Sequence, residues 1–270
     1  MIIRIISSLI GLPLVLAILI LGTPSVVYSF FVVIHFLLAL EIMRIYVEDP
    51  QRGTQSFLGF ARGDWMRALA STLAFIVLLL SEPEGLLARL SFFLCGVALL
   101  SALLPGTIEQ RSRSSQSTVL GMVYSLIPWL MIASLYEKAE NERFVILLLS
   151  IAWAGDTAAY FVGKTWGRRP MAPMISPKKT WLGACAGFVA SALAAWIVSA
   201  IYDNELGDPA FMIGVGAVCA LFGQMGDLFK SVFKRQRGVK DSGRLMPGHG
   251  GLLDRMDGAL MAAPVLNLFF

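Results

Sequence analysis

Of the 270 residues, 57% are hydrophobic and only 15% charged, and the mean hydropathy is +0.72. That balance excludes an ordinary soluble domain. The net charge of +4 is not a nucleic-acid footprint, since no soluble basic domain exists to present one, and nucleic acid is not an expected partner.

A hydrocarbon core about 30 Å thick is crossed by about 20 helical residues. Nine apolar segments are long enough, near 2–21, 25–46, 65–81, 86–104, 119–136, 143–163, 181–202, 210–230 and 252–270. Their apolar runs are continuous rather than alternating, which favours helices over a β-barrel. The expected fold class is all-α, a polytopic integral membrane protein with about nine transmembrane helices. Arg4 precedes the first run, yet that run is longer than a secretory h-region of about 7 to 15 residues and lacks an A-x-A-like site, so it reads as the first span. Residues 1–140 read as a membrane-helix scaffold, and 141–270 as a catalytic membrane region with motif-bearing loops. Cys95, Cys185 and Cys219 fall inside predicted spans without CxxC spacing and read as small buried apolar residues. The stretch "EQRSRSSQS" at 109–117 reads as a short polar loop.

Charge orients the chain. One set of alternate loops and helix ends carries Arg44, Arg52, Arg111, Arg113, Lys178, Lys179, Lys234 and Lys240, while the other holds Glu82, Glu84, Glu140, Asp203 and Asp208. By the positive-inside rule the N-terminus is cytoplasmic.

Two of the basic loops, 164–180 and 231–251, adjoin acids set inside apolar spans, Asp156 in the sixth and Asp227 in the eighth. An aspartate near mid-membrane costs about 2.5 to 3.5 kcal/mol on insertion scales, so it calls for a partner, a wet cavity or a metal. An intramembrane ion pair would satisfy the same requirement. On the eighth helix Asp227, Ser231 and Lys234 or Arg235 share one face, and in "GGLLDRMDG" Asp254 and Asp257 lie three apart on one helix. Pro247, Gly248, Gly250 and Gly251 disfavour regular helix but let backbone N–H groups approach an anion at the following helix N-terminus; a tight re-entry turn is the plainer reading. His249 in that turn either contacts phosphate or serves the turn. Carboxylate oxygens suit Mg²⁺, which takes one or two of them plus substrate phosphates, and lysines and arginines neutralise the remaining phosphate charge. The pattern points to phosphoryl or nucleotidyl transfer. No HExxH motif exists, and "GKT" at 163–165 lacks the earlier P-loop glycine because Ala158 stands there.

The run "SVFKRQRGVKDSGRLMPGHGGLLDRMD" from Ser231 to Asp257 resembles the signature of the phosphatidate cytidylyltransferases, or CDP-diacylglycerol synthases, and "DTAAYFVGKTWGRR" and "ISPKKTW" upstream are similar to the same family. The resemblance covers roughly 150–260. It implies condensation of CTP with phosphatidate, Mg²⁺ with a second cation such as K⁺, nine spans and a homodimer in the bacterial inner membrane, with the site facing the cytoplasm. Carried over by position, Asp227 and Asp254 bind metal, and Lys234 and Asp257 join them in catalysis. Ser176, Lys178, Lys179, Ser231, Arg235, Lys240, Asp241, Gly248, His249, Gly250, Gly251, Arg255 and Asp156 fall on the substrate side. The chain departs from the family pattern at Leu182 and Lys230, where Glu is frequent, and each departure removes a carboxylate. A CTP-dependent polyprenol or phytol kinase would use a similar site, and a secondary transporter could also place aspartates within spans.

Overall fold

The computed structural model describes residues 2–47, 56–57, 60–81, 84–103, 107–138, 142–243, 245 and 250–270. Of the motif residues, Pro247, Gly248 and His249 lie outside the described residues, as do Arg52, Glu82 and Glu140.

Nine helices occur among the described residues: α1 (Ile2–Leu21), α2 (Pro24–Tyr46), α3 (Arg62–Leu79), α4 (Leu86–Ala102), α5 (Ile108–Lys138), α6 (Arg143–Thr165), α7 (Trp181–Ile201), α8 (Pro209–Gln236) and α9 (Leu253–Asn267). Two short antiparallel pairs join them, β1 (Ser56–Phe57) with β2 (Phe60–Ala61) and β3 (Pro170–Ala172) with β4 (Ser176–Thr180). Each helix overlaps one predicted segment. Among the described residues α2, α5, α6, α7 and α8 are long and apolar enough to cross a membrane. The chain is a polytopic, helical membrane protein.

Helix ends differ from expectation where polar residues are sheltered or capped. The polar stretch 109–117 is helical, not a loop. Thr107 and Gln110 exchange hydrogen bonds as a capping box, Thr107 N–H to Gln110 Oε1 at 3.0 Å and Gln110 N–H to Thr107 Oγ1 at 3.3 Å. Glu109 pairs with Arg113 one turn on, and Ser117 donates to Arg113 O at 2.6 Å, so side chains that are usually loop-forming are spent within the helix. α8 runs on to Gln236, past the charges at which the predicted span stops, because Lys230 and Lys234 are buried rather than solvated. α9 ends at Asn267, earlier than the segment predicted to reach 270.

The chain divides into two compact units. Unit 1 comprises 1–133 and 241–254. Its core is aromatic: Phe31 meets Trp129 edge-on at 5.9 Å, and the Trp129 indole N–H donates to Phe31 O at 2.9 Å. His35 stacks on Phe75 at 4.7 Å with its Nδ1 3.2 Å from Thr72 Oγ1, and the Ser71 and Ser125 hydroxyls meet at 3.0 Å. Each of these contacts spares buried polar atoms a cost of about 1 to 3 kcal/mol, although His35 Nε2 has no partner among the described residues.

Unit 2 comprises 134–240 and 255–270. Here α7 packs against both α6 and α8. Small residues allow it: a Cβ on Gly187 would stand 2.9 Å from Gly155 O, and one on Gly216 would stand 2.6 Å from Ser191 O. Lipid tails are as apolar as leucine, so close backbone approach and interhelical hydrogen bonds do the binding. Ser191 Oγ donates to Ile151 O at 2.8 Å and Gln224 Nε2 to Ala184 O at 2.9 Å. Of the three cysteines only Cys219 is buried; Cys95 and Cys185 are exposed, contrary to expectation. Hydropathy cannot distinguish a helix face that meets lipid from one that meets protein, since both are apolar.

Candidate active site

In unit 2 the α6–β3 turn and the hairpin β3–β4 bring Lys179 to α8. Thr180, the last residue of β4, is the N-cap of α7 and accepts from Gly183 N–H at 3.2 Å, which fixes where the strand ends and the helix begins. Arg235 Nε donates to Ile175 O at 3.0 Å, tying the hairpin to α8 from the other end. Lys179 Nζ pairs with Asp227 Oδ2. Lys230, one turn beyond Asp227 on α8, lies 3.4 Å from Asp227 Oδ1 and pairs closely with Asp257 Oδ2 of α9. Asp257 Oδ1 also accepts from Gly258 N–H at 2.9 Å. Asp156 of α6 lies in electrostatic reach of Asp227, Lys179 and Lys230. Asp227 and Asp257 thus share the Lys230 ammonium, with Lys179 on Asp227 as well, and Lys230 and Asp257 are buried, 1% and 3% exposed.

Lys230 was not among the expected site residues. In sequence it looks like the loss of a carboxylate; in the structure it is the buried cation between Asp227 and Asp257. The missed signal is its place three residues after Asp227 on the same helix, which puts both on one face.

In unit 1 Ser242 and Gly251 meet Asp254. Its Oδ2 accepts from Ser242 N–H at 2.8 Å and Gly251 N–H at 3.3 Å, and Ser242 Oγ is 3.0 Å away. Gly250 has φ 88°, in the left-handed region, and a Cβ there would lie 3.3 Å from both Asp241 Cβ and Asp254 Oδ2. The backbone conformation favours glycine at 250, and a side chain there would also crowd Asp241 and Asp254. Glu41 of α2 meets the same segment: its Oε2 accepts from Leu253 N–H at 2.8 Å and lies 2.9 Å from Ser242 Oγ. A single carboxylate within the apolar "FLLALEIM" was the available signal, of the same kind that singled out Asp156 and Asp227.

The expected residues are thus gathered in two groups, Asp156, Lys179, Asp227 and Asp257 in unit 2, and Asp241, Gly250, Gly251 and Asp254 in unit 1. Ser231 Oγ donates back to Asp227 O at 2.7 Å within its own helix. Lys234 is buried, whereas Lys178, Lys240 and Arg255 are exposed, with Ser176 at the start of β4. No group of three metal-binding side chains occurs among the described residues. Asp227 in unit 2, which draws two ammonium groups, and Asp254 in unit 1 each offer oxygen donors, the ligand type that suits Mg²⁺.

The cytidylyltransferase family model matches residues 2–270. The chain belongs to that family. It is an enzyme, a nucleotidyltransferase. Among similar proteins, a phosphatidate cytidylyltransferase of Staphylococcus epidermidis is 33% identical over 203 residues, covering 74% of this chain and 77% of the relative. One from Rickettsia typhi is 38% identical over 159 residues, 57% of this chain and 70% of the relative. One from Staphylococcus aureus is 40% identical over 134 residues, 49% of this chain and 51% of the relative.

Proposed function

We propose that this cytidylyltransferase acts on phosphatidate, joining it to CTP to give CDP-diacylglycerol and pyrophosphate in phospholipid synthesis. The observation that carries this reading is the family match over residues 2–270, together with relatives named phosphatidate cytidylyltransferase at 33% and 38% identity. A phosphatidate oxygen attacks the α-phosphorus of CTP, a new P–O–P bridge forms, and the bond to the β-phosphate breaks with its electron pair leaving on pyrophosphate. The attacking phosphate is anionic at neutral pH, so the protein supplies position and charge rather than a base.

Asp227 and Asp254 would hold Mg²⁺, which when bound supplies charge neutralisation to the triphosphate. Lys179, placed on Asp227, would neutralise phosphate charge beside that carboxylate. Lys234, Lys178 and Lys240 add positive charge along α8 and the hairpin, while Arg235 and Ser231 hold backbone. Lys230 and Asp257 set the charge and direction of Asp227 from within. Nine spans, a cytoplasmic N-terminus, a cytoplasm-facing site in a bacterial inner membrane, a homodimer and a second cation such as K⁺ complete the reading.

Purified protein given labelled CTP, phosphatidate and Mg²⁺ is expected to carry label into the lipid extract and to release pyrophosphate. Transfer of the γ-phosphoryl group to a lipid alcohol without pyrophosphate would replace this reading by a kinase. Orientation is tested separately with Met174→Cys, 93% exposed at the hairpin tip, and Gln236→Cys at the end of α8. An impermeant thiol reagent should modify them only after cells are opened.

A further inference from the structure

Glu41 belongs to the half of the chain that the sequence assigns to scaffold, yet its carboxyl group lies against the motif segment. It is 0% exposed. Leu253 is the first residue of α9, and the first N–H groups of a helix have no partner within it. A Ser, Thr, Asp or Asn just before the helix ordinarily caps them. Here Gly251 and Leu252 carry no side-chain oxygen, and Glu41 Oε2 accepts from Leu253 N–H instead, across 212 positions of sequence. The same oxygen lies 2.9 Å from Ser242 Oγ. Ser242 in turn donates its N–H to Asp254 Oδ2 at 2.8 Å, and its Oγ, with one proton to give to either carboxyl group, lies 3.0 Å from the same oxygen.

Two glycines of the motif are shaped by this carboxyl. A Cβ on Gly243 would run into Glu41 Oε1, and one on Gly251 would run into Ser242 Oγ and Glu41 Oε2. Close approach of backbone to Glu41, rather than turn conformation, is what excludes a side chain at both positions. Glu41 Oε1 is buried with no hydrogen-bond partner among the described residues, so the carboxyl group is an expensive way to fill this space.

We propose that Glu41 is a positioning residue of the catalytic site, which fixes the direction of the Asp254 carboxylate through Ser242 and the first turn of α9. The inference rests on the reading that Asp254 binds the metal. Partners one step behind a metal ligand are worth about 10- to 100-fold in affinity or activity.

The test uses the full-length protein in detergent with CTP, Mn²⁺ as the probe, and the electron paramagnetic resonance signal of unbound Mn²⁺ as readout, beside turnover. Asp254→Asn should weaken Mn²⁺ binding, and Glu41→Leu should weaken it by about tenfold or more and lower kcat. Glu41→Gln keeps an acceptor oxygen for Leu253 N–H and Ser242 and should stay close to the unsubstituted protein. Ser242→Ala should fall between them, and with Glu41→Gln it decides the matter where Glu41→Leu yields no folded protein. If Asp254→Asn weakens Mn²⁺ binding while Glu41→Leu, or Ser242→Ala in its stead, leaves it unchanged, the role of Glu41 is overturned and the metal reading stands. Unchanged binding in Asp254→Asn overturns the metal reading itself. A Glu41→Gln protein as weak as Glu41→Leu also overturns the proposal, since the hydrogen bonds alone would then not account for the effect.

Discussion

In unit 1 Asp254 and Glu41 are held by neutral donors, three backbone N–H groups and the Ser242 hydroxyl, whereas in unit 2 Asp227 and Asp257 share the ammonium of Lys230. A neutral donor orients a carboxylate without cancelling its charge; an ammonium cancels charge as it orients. Each method has its own weak point. The neutral cradle depends on backbone placement and on glycines that leave room, and the ionic one depends on every charge keeping its partner.

The largest effect should come from the carboxylates themselves. Asp227→Asn and Asp254→Asn are each expected to lower incorporation of label from CTP into lipid by about a thousandfold, with the double substitution little worse than either single one. Near-normal turnover in either, at an unchanged Mg²⁺ requirement, would remove that residue from the metal site.

Stability should then separate the two regions. Lys230→Met leaves Asp257 buried without its ammonium, and breaking such a pair costs about 3 to 5 kcal/mol, read as a fall in melting temperature. Adding Asp257→Leu should restore much of that loss, since a buried ion pair is replaceable by apolar packing, though without restoring activity. A Lys230→Met protein that melts like the unsubstituted chain would show the pair to be dispensable for folding.

The neutral cradle should fail the other way. Gly250→Val forces a branched side chain into φ 88° beside Asp254 Oδ2, and is expected to reduce turnover far more than it lowers the melting temperature. Proportional loss of both would assign Gly250 to the turn alone. The smallest effect is expected away from both clusters. Asp208 caps α8 by accepting from Ala210 N–H at 2.9 Å and Phe211 N–H at 3.3 Å, so Asp208→Ala should cost about 1 kcal/mol of stability and leave turnover per folded molecule unchanged.

Much of this was legible in the sequence. Each predicted segment overlaps a helix because about 20 apolar residues in a row satisfy their own backbone only by coiling, a local property. The acids, cations and glycines from Ser231 to Asp257 pointed to phosphoryl or nucleotidyl transfer because they are close in the chain, and the motif's resemblance to a family narrowed that to nucleotidyl transfer. The α5 extension was missed although its capping box, Thr107 and Gln110, was present in sequence; polar composition outweighed it.

What sequence alone determined, then, is where the helices run, that they belong to a membrane, and which short segment bears the family's motif, all consequences of composition and spacing over a few turns. Tertiary structure decided which residues complete that segment. Lys230 became a buried cation only when α9 brought Asp257 to it, and Glu41 became part of the motif only when the fold closed 212 positions of chain onto one hydrogen bond. Pairing across such distances depends on which faces meet, and that is settled by packing of small residues and burial of polar groups, neither of which leaves a local pattern to read.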